Sequence, residues 1–152
     1  MEISRMGNNS VTGVLLDTNL LLYAYDGLDI FEKILNFLDY KPLFFIHKRV
    51  LDELNKIENS NRGRQLILNK IRVAKILLEK YKSWWKIISE DSDEYKKVDE
   101  VLIETSIKYK LWLATSDYKL CQIALKKGVT VLYVTKNTNR LILIHPDRVN
   151  KL

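Results

Sequence analysis

Four carboxylates stand where the apolar pattern of this chain breaks off or turns inward. Asp17 follows the apolar run Val14-Leu15-Leu16, and Asp117 follows Leu111-Trp112-Leu113-Ala114-Thr115 after one intervening residue, Ser116. Glu53 lies three residues after Val50 and four before Ile57, on the apolar stripe of a helical segment. Asp99 lies three residues before Leu102 and seven before Ser106, on the inward stripe of another. Burying an unpaired carboxylate is costly, so an acid on such a stripe needs a reason. Acids gathered together repel, and their pKa values rise unless cations neutralise them. With oxygen ligands, no clustered His and a single Cys, the cations implied are Mg²⁺ or Mn²⁺. Sites of that kind split phosphodiesters: the metal polarises the phosphate, lowers the pKa of a bound water and steadies the leaving oxygen. Each acid taken singly has a plainer reading. Asp17 suits a helix cap or Asx turn, Glu53 a salt bridge, and Asp99 the favourable charge at a helix N-terminus.

For the four to act together, the elements that carry them must end at one edge. The chain alternates short apolar runs with helical periods, which points to an α/β fold with a parallel sheet covered on both faces. Strands are expected at about 13–17, 43–46, 84–88, 111–115 and 129–134, with an edge strand at 141–144 before Pro146. Helices are expected at about 19–25, 30–40 (capped by Asp29), 47–57, 64–81 and 118–127, the last stopped by Gly128. One more helix, capped by Ser92 or Asp93, reaches about Tyr109, and Asn59 to Gly63 reads as a loop. Asp17 and Asp117 then close two strands, and ligands of open parallel sheets bind beyond such strand ends. Glu53 and Asp99 enter from helices facing the same sheet, whereas Asp52, Glu58 and Glu100 are expected to point elsewhere.

A length of 152 residues suits one domain, and 47% hydrophobic with 29% charged residues describes an ordinary globular composition. No apolar run approaches the ~20 residues that cross a bilayer. Residues 1–12 read as a poorly ordered lead-in without the apolar core of a secretory signal, 13–145 as the domain, and 146–152 as a tail. Cys121 is expected to be a small core residue in a reducing cytoplasm. The formal charge of +6 favours a polyanionic partner.

The segments LLDTNLLL at 15–22, VLDELNKI at 50–57, RVAKILLEKY at 72–81, VDEVLIETS at 98–106 and LATSDYKLCQIALKKGVTVLYV at 113–134 occur in an order and spacing that resembles a PIN domain. The likeness is to the small archaeal kind, related to ribosomal-RNA-processing nucleases and VapC-type toxins, and it spans about 120 residues. It implies an α/β/α sandwich, frequent homodimers and an endoribonuclease dependent on Mg²⁺ or Mn²⁺. By the same resemblance Asp17, Glu53, Asp99 and Asp117 are the catalytic and metal-binding acids. Glu100 stands where close relatives often carry a second Asp, so the third acid is left between Asp99 and Glu100. Asn19, Thr115 and Ser116 are supporting residues, Ser116 replacing a frequent Asn.

Single-stranded RNA is the expected substrate, held through phosphate contacts that position without specifying. The candidate contacts are Lys48, Arg49, Arg62, Arg64, Arg72 and Lys119. An antitoxin or a ribosome-assembly protein is the further partner that the resemblance implies. The alternative is a non-catalytic RNA-binding or assembly module on the same scaffold, which loss of a core acid would favour; none is lost. A haloacid-dehalogenase-type phosphatase needs Asp-x-Asp after the first strand, where this chain has Asp17-Thr18-Asn19.

Overall fold

The computed structural model describes residues 11–90 and 94–146. Strands β1 (Gly13–Leu16), β2 (Leu43–His47), β3 (Trp85–Ile88), β4 (Trp112–Thr115), β5 (Val131–Val134) and β6 (Leu141–Ile144) form a sheet in the order β3-β2-β1-β4-β5-β6. Every neighbouring pair is parallel except β5 with β6. Between the strands run α1 (Thr18–Leu22), α2 (Ile30–Leu38), α3 (Lys48–Ser60), α4 (Gln65–Lys80), α5 (Val98–Tyr109) and α6 (Tyr118–Lys126). From β1 the chain steps to β2 and β3, then returns past β1 to β4 and β5. With right-handed crossovers this reversal sends the connecting helices to opposite faces, giving a three-layer α/β/α sandwich.

Strand β1 is buried along its whole length, which is why its sequence is an unbroken apolar run. Leu15, Leu16, Phe44, Phe45, Leu113 and Leu132 fill the middle layer between the helices. Edge strand β3 is less covered: Ile88 is buried while Lys86 and Ile87 face solvent. Cys121 is buried in the core. Asp29 caps α2 as expected, its carboxylate accepting from the Glu32 amide at 3.1 Å, and it also accepts from the Tyr81 hydroxyl. Among the described residues no helix is long and apolar enough to cross a membrane.

Several element boundaries differ from the expectation. The helix after β1 is α-helical only through Leu22 and tightens into a 3₁₀ turn over Tyr23–Asp26, ended by Gly27 at φ +95°. Asn59 and Ser60 belong to α3, because the Asn61 side-chain amide donates to the Ile57 carbonyl at 2.7 Å and satisfies the helix end. The turn comes later, where Gly63 adopts φ +87°. Helix α5 begins at Val98 behind an extended Lys97; Ser92 and Asp93 lie outside the described residues, as do 1–10 of the lead-in and 147–152 of the tail.

Candidate active site

The sheet order reverses between β1 and β4, so the segments leaving these neighbouring strands diverge and open a crevice at their carboxyl ends. Asp17 follows β1 directly, and Asp117 follows β4 after Ser116. The ladder continues one residue past the strands, with the Asp17 amide donating to the Ala114 carbonyl at 3.1 Å. The Thr115 hydroxyl donates its proton to Asp17 Oδ2 at 2.7 Å and accepts from the Asp117 amide at 3.0 Å. Asp117 Oδ1 accepts in turn from the Leu120 amide at 3.1 Å, starting α6. The plain capping role therefore falls to Asp117. Asp17 occupies the N-cap position of α1, yet its side chain makes no capping bond there.

Glu53 and Asp99 come from opposite walls of a cleft of about 670 Å³ between α3 and α5, also lined by Arg49, Asp52, Lys56 and Lys97. The Thr18 hydroxyl reaches Glu53 Oε2 at 3.4 Å, linking the α3 acid to the loop that carries Asp17. Two expectations change here. Asp52 does not point elsewhere but stands on the same cleft wall as Glu53. Asp99 is exposed at the cleft rim rather than tucked against the sheet, because the first turn of α5 (Val98, Asp99), with Lys97 before it, lines the cleft. Leu102 and Ser106, one and two turns further, are buried. Glu100 is exposed and, among the described residues, is not part of the cleft lining.

Burial pushes the pKa of Asp17 up to about 6, against the pull of the Thr115 hydrogen bond, and the charges of Asp99 and Glu53 raise it further. Glu53 is raised first by burial, with Asp99 adding repulsion and Thr18 opposing it. Asp99 is raised by its partial burial and then by Asp117. Asp99 thus lies within electrostatic reach of Asp17, Glu53 and Asp117, and Asp17 within reach of Glu53, along one edge of the sheet. Among the described residues no three His, Cys, Asp or Glu side chains are drawn tightly enough to enclose an ion. The arrangement is an open acidic basin. Its donor set, carboxylate oxygens whose charges repel, is of the type that hard divalent cations take.

Of the six basic residues expected near a substrate, Arg49 alone lines this cleft. Its guanidinium donates to the Lys96 carbonyl at 2.7 Å, which ties the approach to α5 onto α3 and so sets the spacing of the two walls. Its amide donates to Nδ1 of buried His47 at 3.0 Å, and burial with the nearby Arg49 charge holds that imidazole below its usual pKa. Lys48, Arg62, Arg64, Arg72 and Lys119 are exposed elsewhere on α3, the turn after it, α4 and α6. Lys56 and Lys97 are cleft cations that the sequence reading does not pick out. A signal for them exists: Lys56 follows Glu53 by three residues, hence on one helical face, and Lys97 precedes Asp99 by two. Among the supporting residues, Asn19 is exposed on α1, Thr115 joins two acids, and the buried Ser116 hydroxyl has no hydrogen-bond partner among the described residues.

A family model described as a PIN like domain matches residues 14–137. Ribonuclease VapC9 of Archaeoglobus fulgidus is 32% identical over 138 residues, covering 90% of this chain and 93% of that protein. The PIN domain endonuclease Utp24 superposes with a TM-score of 0.66 at 21% identity, over 88% of this chain and 92% of that one. A domain of a functionally unknown protein from Methanocaldococcus jannaschii gives 0.63 at 19% identity, over 88% and 99%. At such identities the two structures speak for the fold. Together with the family match over nearly the whole sheet, they leave one assignment: the chain belongs to the PIN-like domain family.

Proposed function

We propose that this protein is an endoribonuclease that hydrolyses phosphodiester bonds of single-stranded RNA with Mg²⁺ or Mn²⁺ at the basin formed by Asp17, Glu53, Asp99 and Asp117. The observation that carries the reading is the placement of Asp17 and Asp117 just past the ends of the two strands flanking the sheet reversal, Asp17 within electrostatic reach of the cleft acids Glu53 and Asp99 and Asp117 within reach of Asp99. Family membership and a relative named as a ribonuclease support RNA as the substrate. Mg²⁺ keeps several of its waters and binds through one or two carboxylates, so an open basin suits it better than a closed cage would. When bound, such a cation polarises the scissile phosphate and lowers the pKa of a water.

The chain's own groups do the rest. Thr115 orients Asp17 and, through the Asp117 amide, fixes where the second strand-end acid stands. Arg49 holds the two cleft walls together, and Lys56 and Lys97 supply positive charge for backbone phosphates beside the acids. On the same reading the protein works in the cytoplasm, as its single buried cysteine suits, pairs with a second copy of the chain, and has an antitoxin or a ribosome-assembly protein as a further partner. The test is cleavage of single-stranded RNA by purified protein with Mg²⁺, Mn²⁺ or EDTA. Cleavage is expected with either metal and not with EDTA; metal-independent cleavage overturns the mechanism.

A further inference from the structure

The basin sits partway along the sheet edge rather than at its end. In strand order, β2 leads into the cleft wall with Glu53, β1 into Asp17, β4 into Asp117, and β5 follows. On that far side stands Tyr118, the residue after Asp117, with 61% of its surface exposed. A single exposed aromatic is unremarkable in itself. Here the ring is held at both ends. It packs edge-on against Tyr133, with ring centres 6.0 Å apart and planes at 71°. Its hydroxyl accepts from the Gln122 side-chain amide at 2.9 Å.

Tyr133 belongs to the site's surroundings as well. It pairs with Thr115 across β4 and β5, so both side chains rise from the same face of the sheet. The Tyr133 hydroxyl is raised first by burial, and Tyr118, Asp117 and Tyr23 are among the groups close enough to add to the shift. Buried Thr115 lies beneath, and half-buried Asp117 and Tyr133 with exposed Tyr118 stand next to one another on the side of Asp17 away from α3. The cavity of about 290 Å³ behind the Tyr118 ring, walled mainly by Cys121, Leu125 and Ile144, runs along α6 toward the other sheet edge, where Ile144 pairs with Val131 at the start of β5. What Tyr118 offers next to the basin is its own exposed ring.

We infer that Tyr118 is a base-stacking residue, braced by Tyr133 and Gln122, that holds one nucleobase of single-stranded RNA beside the acid basin. The inference rests on the ribonuclease reading above and adds to it the reason for single-strand preference: a base inside a duplex has no free face to offer. Neighbouring strands lie about 4.8 Å apart, so β1 to β5 spans roughly 10 Å. A single strand crosses that in a few nucleotides, with phosphates on the Lys56 and Lys97 side and a base on the tyrosine side. A ring already fixed by its neighbours loses little side-chain freedom on binding.

The test is equilibrium binding of a short single-stranded RNA carrying one 2-aminopurine, scanned along the oligonucleotide, to Asp17→Asn protein that does not cleave it. In Tyr118→Ala made in that background, affinity is expected to fall about five- to a hundredfold, and the fluorescence quenching at one scanned position should vanish. Tyr118→Phe keeps the ring and should bind within about twofold of the parent, and thermal melts of both variants check that Tyr133 packing has not been lost. The dependence of binding on salt should stay the same, because stacking releases no counterions. Unchanged affinity and quenching in Tyr118→Ala overturn the stacking role alone. A parent protein that binds no RNA, together with a wild type that cleaves none, overturns the ribonuclease reading and this inference with it.

Discussion

The Thr115 hydroxyl joins the two strand-end acids, donating to Asp17 Oδ2 at 2.7 Å while accepting from the Asp117 amide at 3.0 Å. One buried oxygen thereby fixes the side chain that follows β1 and the backbone after β4, across 98 residues of sequence. Thr115→Val keeps the shape and removes both bonds. Stability should fall by about 1–3 kcal/mol, because a buried carboxylate and an amide lose a partner together. Cleavage should drop at least tenfold through misplacement of Asp17, and Thr115→Ser should restore most of both. Thermal melts and single-turnover cleavage of the two variants check this.

Asp17 is almost fully buried, and its carboxyl has a pKa of about 6 against an ordinary 3.8. A raised carboxyl pKa means the fold favours the neutral form. In metal-free protein the associated stability is complete below about pH 3.8 and is lost as the pH rises through about 6. The gap corresponds to up to about 3 kcal/mol at pH 8. Asp17→Asn removes that titration, so with EDTA it should melt higher than wild type at pH 8, with a smaller difference at pH 4.5. Its RNA cleavage should fall by orders of magnitude. An Asp17→Asn variant that melts lower than wild type at pH 8 would contradict the burial argument.

The third acid can be assigned by comparing two neighbours. Asp99 lines the cleft and feels Asp117, whereas Glu100 is exposed outside the cleft lining. Asp99→Asn should reduce cleavage at least a hundredfold and weaken Mn²⁺ binding measured by calorimetry. Glu100→Gln should leave both within about threefold of wild type. The reverse result would require α5 to rotate by one residue in the metal-bound protein.

Lys56 and Lys97 flank the acids, while Arg72 is exposed on α4 away from the cleft lining. For single-stranded RNA each lost phosphate contact should flatten the log-log salt dependence of binding by about 0.7. Lys56→Ala and Lys97→Ala are each expected to show that change, and Arg72→Ala none. Filter binding across a salt series measures it directly.

Local pattern alone settles much of this protein. Apolar runs bounded by polar breaks mark all six strands, and helical spacing puts Glu53 and Asp99 on the helices that face the cleft. The DTN and TSD segments mark the ends of β1 and β4, because a carboxylate is excluded from a fully buried strand and collects where the strand stops.

What stays hidden is whatever depends on contacts between distant segments. Periodicity assigns a residue to a helical face but cannot say which part of that face is left open by a cleft between helices. It therefore reads Asp99 as inward, although that residue lies exposed at the rim, and Asp52 as outward, although that residue lines the cleft. The Thr115–Asp17 bond depends on β4 pairing with β1, a register that no local signal encodes. The bond from Arg49 to the Lys96 carbonyl likewise exists only once α3 and the approach to α5 meet. Local composition makes the acids visible as separate positions, because propensity and burial act over a few neighbouring residues. Only the sheet order, by reversing between β1 and β4, decides that they face one another, because strand pairing is set by packing over the whole chain.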